Sequence, residues 1–192
     1  MRTIAVLAAL VVATLALACG ESTVGPTGPG GTLKVMIKDT PYSDAKSLLV
    51  TFSEVTAHRS SDAGFSKLPF ADAAATTRTC DLKKLVNAED VLGVGTIPEG
   101  HYTQLRLVVT DAVLFWDNAA TGPACATAVA RPLGNSATVV IQSGEVKLNR
   151  EFDVKATGAT TILLDFNGEQ SVIQTGNSTY RMTPVIGIVS VQ

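Results

Sequence analysis

The sequence predicts an all-β fold with at most one short helix, arranged as an antiparallel β-sandwich. Three observations lead there. From Thr32 onward apolar residues recur with period two, the spacing of strands that bury one face and wet the other. Turn signals punctuate those runs at the spacing of a sandwich: Asp62-Ala-Gly64, Pro98-Glu-Gly100, Ser143-Gly144, Asn167-Gly168 and Gly176-Asn177. The 192 residues are 46% hydrophobic, enough for one domain with its own core and too apolar for a disordered chain. With 15 basic against 17 acidic side chains the net charge is −2, which argues against a nucleic-acid partner.

The elements follow in chain order. Leu33, Val35 and Ile37 alternate with Lys34, Met36 and Lys38. Val50 and Phe52 share a face, and Val55 and Ala57 continue on the opposite parity, which predicts a β-bulge near Ser53-Glu54. Cys80–Leu92 carries the one hint of helix, with a short turn or irregular crossover as the alternative. Gly93-Val-Gly95-Thr-Ile-Pro98 reads as a glycine-rich turn that precedes a strand rather than a helix, so it builds no phosphate cradle. Leu105, Leu107 and Val109 alternate with Gln104, Arg106 and Val108, and Val113–Trp116 is again strand. In Glu145–Lys155, Val146, Leu148, Phe152 and Val154 share one face, interrupted by Arg150 near an edge or against an inward carboxylate. Thr160–Phe166, Ser171–Gln174, Tyr180–Thr183 and Val185–Val191 complete the set. The last is apolar on both faces and is expected to be central and buried. No internal repeat is present.

Residues 1–18 read as a lipoprotein signal peptide, 19–31 as a lipidated cysteine with a flexible Gly/Pro tether, and 32–192 as the single domain. Arg2 precedes the run Ile4–Ala18, which is apolar apart from Thr14 and spans 15 residues. A membrane-crossing helix needs about 20, so the run is a leader before it is an anchor. Its end, Leu15-Ala16-Leu17-Ala18-Cys19, resembles the lipobox of bacterial lipoproteins, with Ala16 where leucine is usual. That resemblance implies thioether attachment of diacylglycerol to Cys19, cleavage after Ala18, and a membrane held through fatty acyl chains of the palmitate class, two or more of which anchor stably. Gly20, in place of an aspartate, resembles an outer-membrane address. The expected location is the cell envelope, at the outer membrane or on its outer or periplasmic face. Gly20–Gly31 holds five glycines and two prolines, a coil reaching about 17–20 Å.

Once Cys19 is lipidated, Cys80 and Cys125 remain, and an even pair in an exported chain reads as a disulfide. Two buried free thiols or a redox pair are the alternatives; neither cysteine sits in a C-x-x-C, which argues against redox chemistry.

Three stretches, in order, resemble the bacterial and archaeal lipoprotein family known as domain of unknown function 4382. They are GTLKVMIKDTPYSDAKSLLVTFSEVTAH, with an Asp-x-Pro turn; DLKKLVNAEDVLGVGTIPEGHYTQLRLVV, where a Pro-x-Gly-x-Tyr turn feeds a strand with an inward arginine; and TTILLDFNGEQSVIQTGNSTYRMTPVIGIV, with an Asp-Phe-Asp-like turn and a Pro-Val-Ile strand. Thr40 stands between Asp39 and Pro41, and Asn167 stands where an acidic residue is frequent. The resemblance implies a prealbumin-like, immunoglobulin-like β-sandwich, an envelope address and no named catalytic residues.

The residues offer few chemical constellations. His58 and His101 are the two imidazoles, 43 positions apart and outside any H-E-x-x-H, whereas a catalytic zinc needs about three protein ligands. No G-x-S-x-G elbow is present, and the strand ending at Ser143 leads into another strand. Asp165, Asn167 and Glu169 offer alternate oxygens for calcium, but they supply about three of the 6–8 that calcium takes, and Asn167-Gly168 is also a preferred hairpin dipeptide. Trp116, Tyr42 and Tyr102 are the candidates for a sugar-stacking platform, with core packing as the competing role. No catalytic residue and no cofactor is assigned. The expectation is a non-enzymatic, lipid-anchored envelope protein that binds or assembles with an unidentified envelope protein or glycan. A carbohydrate- or polymer-binding module is the alternative, and an envelope hydrolase using His58 or His101 is third.

Overall fold

The computed structural model describes residues 29–40 and 42–192. The leader and Cys19 lie outside the described residues, as does the tether up to residue 28. Among the described residues no helix is long and apolar enough to cross a membrane.

Thirteen strands make up two sheets: β1 (Gly30–Thr40), β2 (Ser47–Arg59), β3 (Phe65–Lys67), β4 (Arg78–Asp81), β5 (Asp90–Pro98), β6 (Gly100–Phe115), β7 (Cys125–Ala126), β8 (Ser136–Ile141), β9 (Glu145–Val154), β10 (Ala159–Asn167), β11 (Val172–Gly176), β12 (Thr179–Met182) and β13 (Ile186–Val191). The small sheet runs β13-β10-β1-β5. The large one runs β11-β12-β8-β6-β2-β4-β7, with β3 added to β2 and β9 to β6. Inward side chains of both sheets form one core, in which Leu33, Val35, Ile37 and Phe166 of the small sheet face Val50, Phe52, Leu105 and Leu107 of the large one. Phe52 and Phe166 meet edge to face across the layers at 6.4 Å. The fold is therefore the all-β sandwich that the alternation predicts. Parallel pairing enters twice, β1 with β10 and β8 with β12; the other pairs are antiparallel.

Local chemistry explains the departures from the sequence reading. The expected bulge is at Ser53: Phe52 pairs with Val109 and Glu54 with Val108, so the inward parity switches there. β1 starts at Gly30, so Gly30 and Gly31 belong to the sheet and not to the tether. Gly31 lies against the Lys155 carbonyl, where a Cβ has no room. Gly93–Pro98 is not a turn but most of β5, an edge strand of the small sheet. Leu68 and Pro69 pack so closely on Gly93 and Gly95 that side chains would collide, and Pro98 closes the strand at its free edge. The helix hint shrinks to one 3-10 turn, Leu82–Leu85, begun by the Asp81 carboxylate accepting the Lys83 N–H. Asn167-Gly168 makes no hairpin; Asn167 caps α1 (Gly168–Ser171), which carries the chain from one sheet to the other. β13 is an edge strand rather than a central one, and Val189, beside its bulge, is 50% exposed. Arg150 is exposed, in the stretch of β9 that bulges between Asn149 and Phe152.

Candidate functional site

The residue that the sequence offers as a platform, Trp116, directly follows β6 at the far pole from the chain's entry. Pro29 accepts a hydrogen bond from the Glu99 N–H, one residue before β6 begins, and β6 then runs 16 residues to Phe115. At about 3.3 Å per residue that path is about 50 Å. Trp116 is partly buried against the core, and its indole meets the Tyr180 ring at 5.3 Å, tilted by 42°. The pair forms the apolar part of a groove of about 560 Å³ whose other walls include Asn135, Ser136, Thr138 and Ser178.

Three separate segments build it: Trp116 after β6, Asn135–Thr138 at the start of β8, and Ser178 with Tyr180 at the β11–β12 turn. The loop between Trp116 and β8 is fastened at its base, where Asp117 accepts the Asn135 backbone N–H (2.7 Å) and side-chain amide (3.2 Å), and Asn118 donates to the Leu133 carbonyl (2.8 Å). The same loop covers a second apolar cluster of Leu49, Val113, Phe115, Ala120 and Val129 on the outer face of the large sheet. The Cys80–Cys125 disulfide joins directly opposed residues of β4 and β7 and ties that loop to the sheet. Next to it, Asp90 pairs with Arg78 (3.1 Å) and accepts the Cys125 N–H (3.1 Å). The third wall is the β11–β12 turn. There Ser178 adopts φ +57°, in the left-handed region that disfavours residues with a Cβ. Strained backbone of this kind is concentrated at functional sites.

The other sequence candidates fall elsewhere. Tyr102 is fully buried, stacks on Phe152 at 5.3 Å and donates its hydroxyl to the Pro98 carbonyl (2.7 Å). Tyr42 is 8% exposed. Tyr102 presents no ring face to a ligand, and Tyr42 lies away from the Trp116 groove. Asp165 accepts the Thr40 hydroxyl (3.2 Å), Asn167 caps α1 by accepting the Gln170 N–H (2.9 Å), and Glu169 accepts the Ser43 N–H (3.0 Å). Each of the three thus makes a hydrogen bond within the protein, and among the described residues no group of three or more His, Cys, Asp or Glu side chains converges. His58 contacts Thr103 through Nδ1 (3.3 Å) and tilts over Phe65 at 5.1 Å. His101 bonds Asp153 (2.9 Å) on an open surface. A His–Asp pair orients an imidazole as in a triad, but no serine or cysteine side chain is bonded to His101 among the described residues. Arg106 faces outward, opposite to the inward arginine expected. It lies over the Phe65 ring at 4.2 Å and pairs with Glu54 at 3.1 Å.

A family model for domain of unknown function 4382 (DUF4382) matches residues 30–184. The chain belongs to the DUF4382 family. No curated protein and no solved structure matches it. The DUF4382 motif blocks now have structural roles. In Pro98-Glu-Gly100-His-Tyr102 the tyrosine hydroxyl closes back on the proline carbonyl, as in the tyrosine corner of other sandwiches, and Gly100 at φ +141° supplies a conformation that other residues resist. The first and third blocks meet where the Asp39 carboxylate accepts the Gly168 N–H (3.2 Å) beside the Asn167 cap. The groove draws Trp116, Asn135, Ser136 and Thr138 from the chain between the second and third blocks. Sequence reasoning missed Asn135, Ser136, Thr138, Ser178 and Tyr180, because only the parallel β8–β12 pairing brings those segments together.

Proposed function

We propose that this DUF4382 protein is a lipid-anchored, non-enzymatic cell-envelope domain that works by binding, through its Trp116–Tyr180 groove, a component of the envelope or its surroundings. One observation carries the reading. The groove lies at the opposite end of β6 from Pro29, where a lipid tether from Cys19 would join the sandwich. An anchor at one pole leaves the other pole facing away from the lipid. The lipobox-like Leu15–Cys19 segment and the Gly/Pro tether supply the anchoring half of the argument. The binding reading is supported further by the His101–Asp153 pair, which has no bonded serine or cysteine among the described residues.

The test compares the full-length chain with Cys19→Ala in its native host. Envelope fractions are separated, and chemical crosslinking is followed by mass spectrometry. The reading expects the native chain in the membrane fraction, the variant released from it, and a crosslinked partner or polymer that the variant loses. Equal partitioning of the two chains contradicts anchoring through Cys19. A hydrolytic activity abolished by His101→Ala contradicts the non-enzymatic half.

A further inference from the structure

We propose that the Trp116–Tyr180 groove takes a neutral saccharide; this rests on the reading of the domain as an envelope binder and names its ligand class. The first argument is composition. Around Trp116, partly buried, and Tyr180, 8% exposed, the walls carry one amide, Asn135, and the hydroxyls of Ser136, Thr138 and Ser178, and no acidic or basic side chain lines the groove. A pyranose matches both halves, with a C–H face for a ring and hydroxyls for neutral donors and acceptors. A phosphorylated, sulfated or carboxylated ligand would give up its hydration there without meeting a counter-charge.

The second argument is a fixed polar group. The side-chain amide and backbone N–H of Asn135 are held by Asp117, which fixes the amide orientation and leaves its oxygen as an acceptor. The volume of about 560 Å³ is that of a small-ligand site.

Trp116 is the only tryptophan of the chain, so its emission reports on this groove alone. The purified full-length protein is titrated with cello-, malto- and chito-oligosaccharides from one to six units, with oligogalacturonate as the anionic comparator. At least one neutral series is expected to shift the emission saturably, more tightly for trimer than for monomer. Ser136→Ala and Thr138→Ala, at exposed positions outside the core, are expected to weaken it about five-fold or more, and Trp116→Ala to abolish binding measured by calorimetry. Should Trp116→Ala fail to fold, the two surface variants decide. The proposal is overturned if no neutral series shifts the emission, if only oligogalacturonate does, or if binding is unchanged in Ser136→Ala and Thr138→Ala. Membrane partitioning of the same protein reads the anchor independently, so failure of the saccharide leaves the envelope reading standing and the reverse also holds.

Discussion

Asp39 shows how one side chain can carry a pH dependence. It is 4% exposed, its Oδ1 accepts the Gly168 N–H, and its Oδ2 is buried without a partner. Burial pushes its carboxyl up to about 7; the Gly168 bond opposes the rise and the charge of Asp165 adds to it. The folded state therefore holds this proton more tightly than the unfolded chain, whose ordinary value is 3.8. The resulting stability is complete below pH 3.8 and is lost as pH rises through about 7. Asp39→Asn should leave the melting temperature near the parent's at pH 4 and raise stability by about 1–3 kcal/mol at pH 8, as read by thermal denaturation at the two pH values. A variant less stable than the parent at pH 8 would refute the assignment. Ser178 gives a second prediction at this scale. Ser178→Gly removes a Cβ from a left-handed conformation and should stabilise the fold by about 0.5–1 kcal/mol in the same assay, while weakening the groove by the loss of one hydroxyl.

Elements with a strict period two were legible in the sequence because one buried face dictates their residues. β1, the middle of β6 and β10 fall where the alternation puts them, and the parity switch at Ser53 locates a bulge to the residue. β3, β4 and β7 have two to four residues each, too few to establish a period. β5 is hidden by glycines that close packing of Leu68 and Pro69 requires. β13 misleads because its apolar residues on both faces suggest full burial, whereas Ile188 and Val191 are partly buried and Val189 sits beside a bulge. Of the groove, only Trp116 was legible; its partners come from segments with no shared pattern. Two predictions belong here. Gly31→Ala places a methyl against the Lys155 carbonyl and should cost about 2–3 kcal/mol in denaturant unfolding. Reducing the Cys80–Cys125 bond should cost about 3–4 kcal/mol, because it frees a 44-residue loop whose return also carries the groove wall. Emission from Trp116 should change on reduction before the rest of the sandwich unfolds.

At the scale of the whole molecule, the long strand β6 separates two poles. One receives the chain at Pro29 beside Glu99 and Gly100; the other holds Trp116, the fastened loop and the β11–β12 turn. The DUF4382 motif turns stabilise the frame between and around them, which explains how a recognisable family pattern can be rich in structure and silent about chemistry. The central claim is that the distal pole does the binding while the proximal one is tethered. A photo-crosslinking residue placed at Ser136 of the full-length chain, compared with one at exposed Glu151 near the entry pole, tests it directly in the native envelope. The account predicts a discrete adduct from position 136 that disappears in the Cys19→Ala background. An adduct from position 151 with none from position 136 would contradict it.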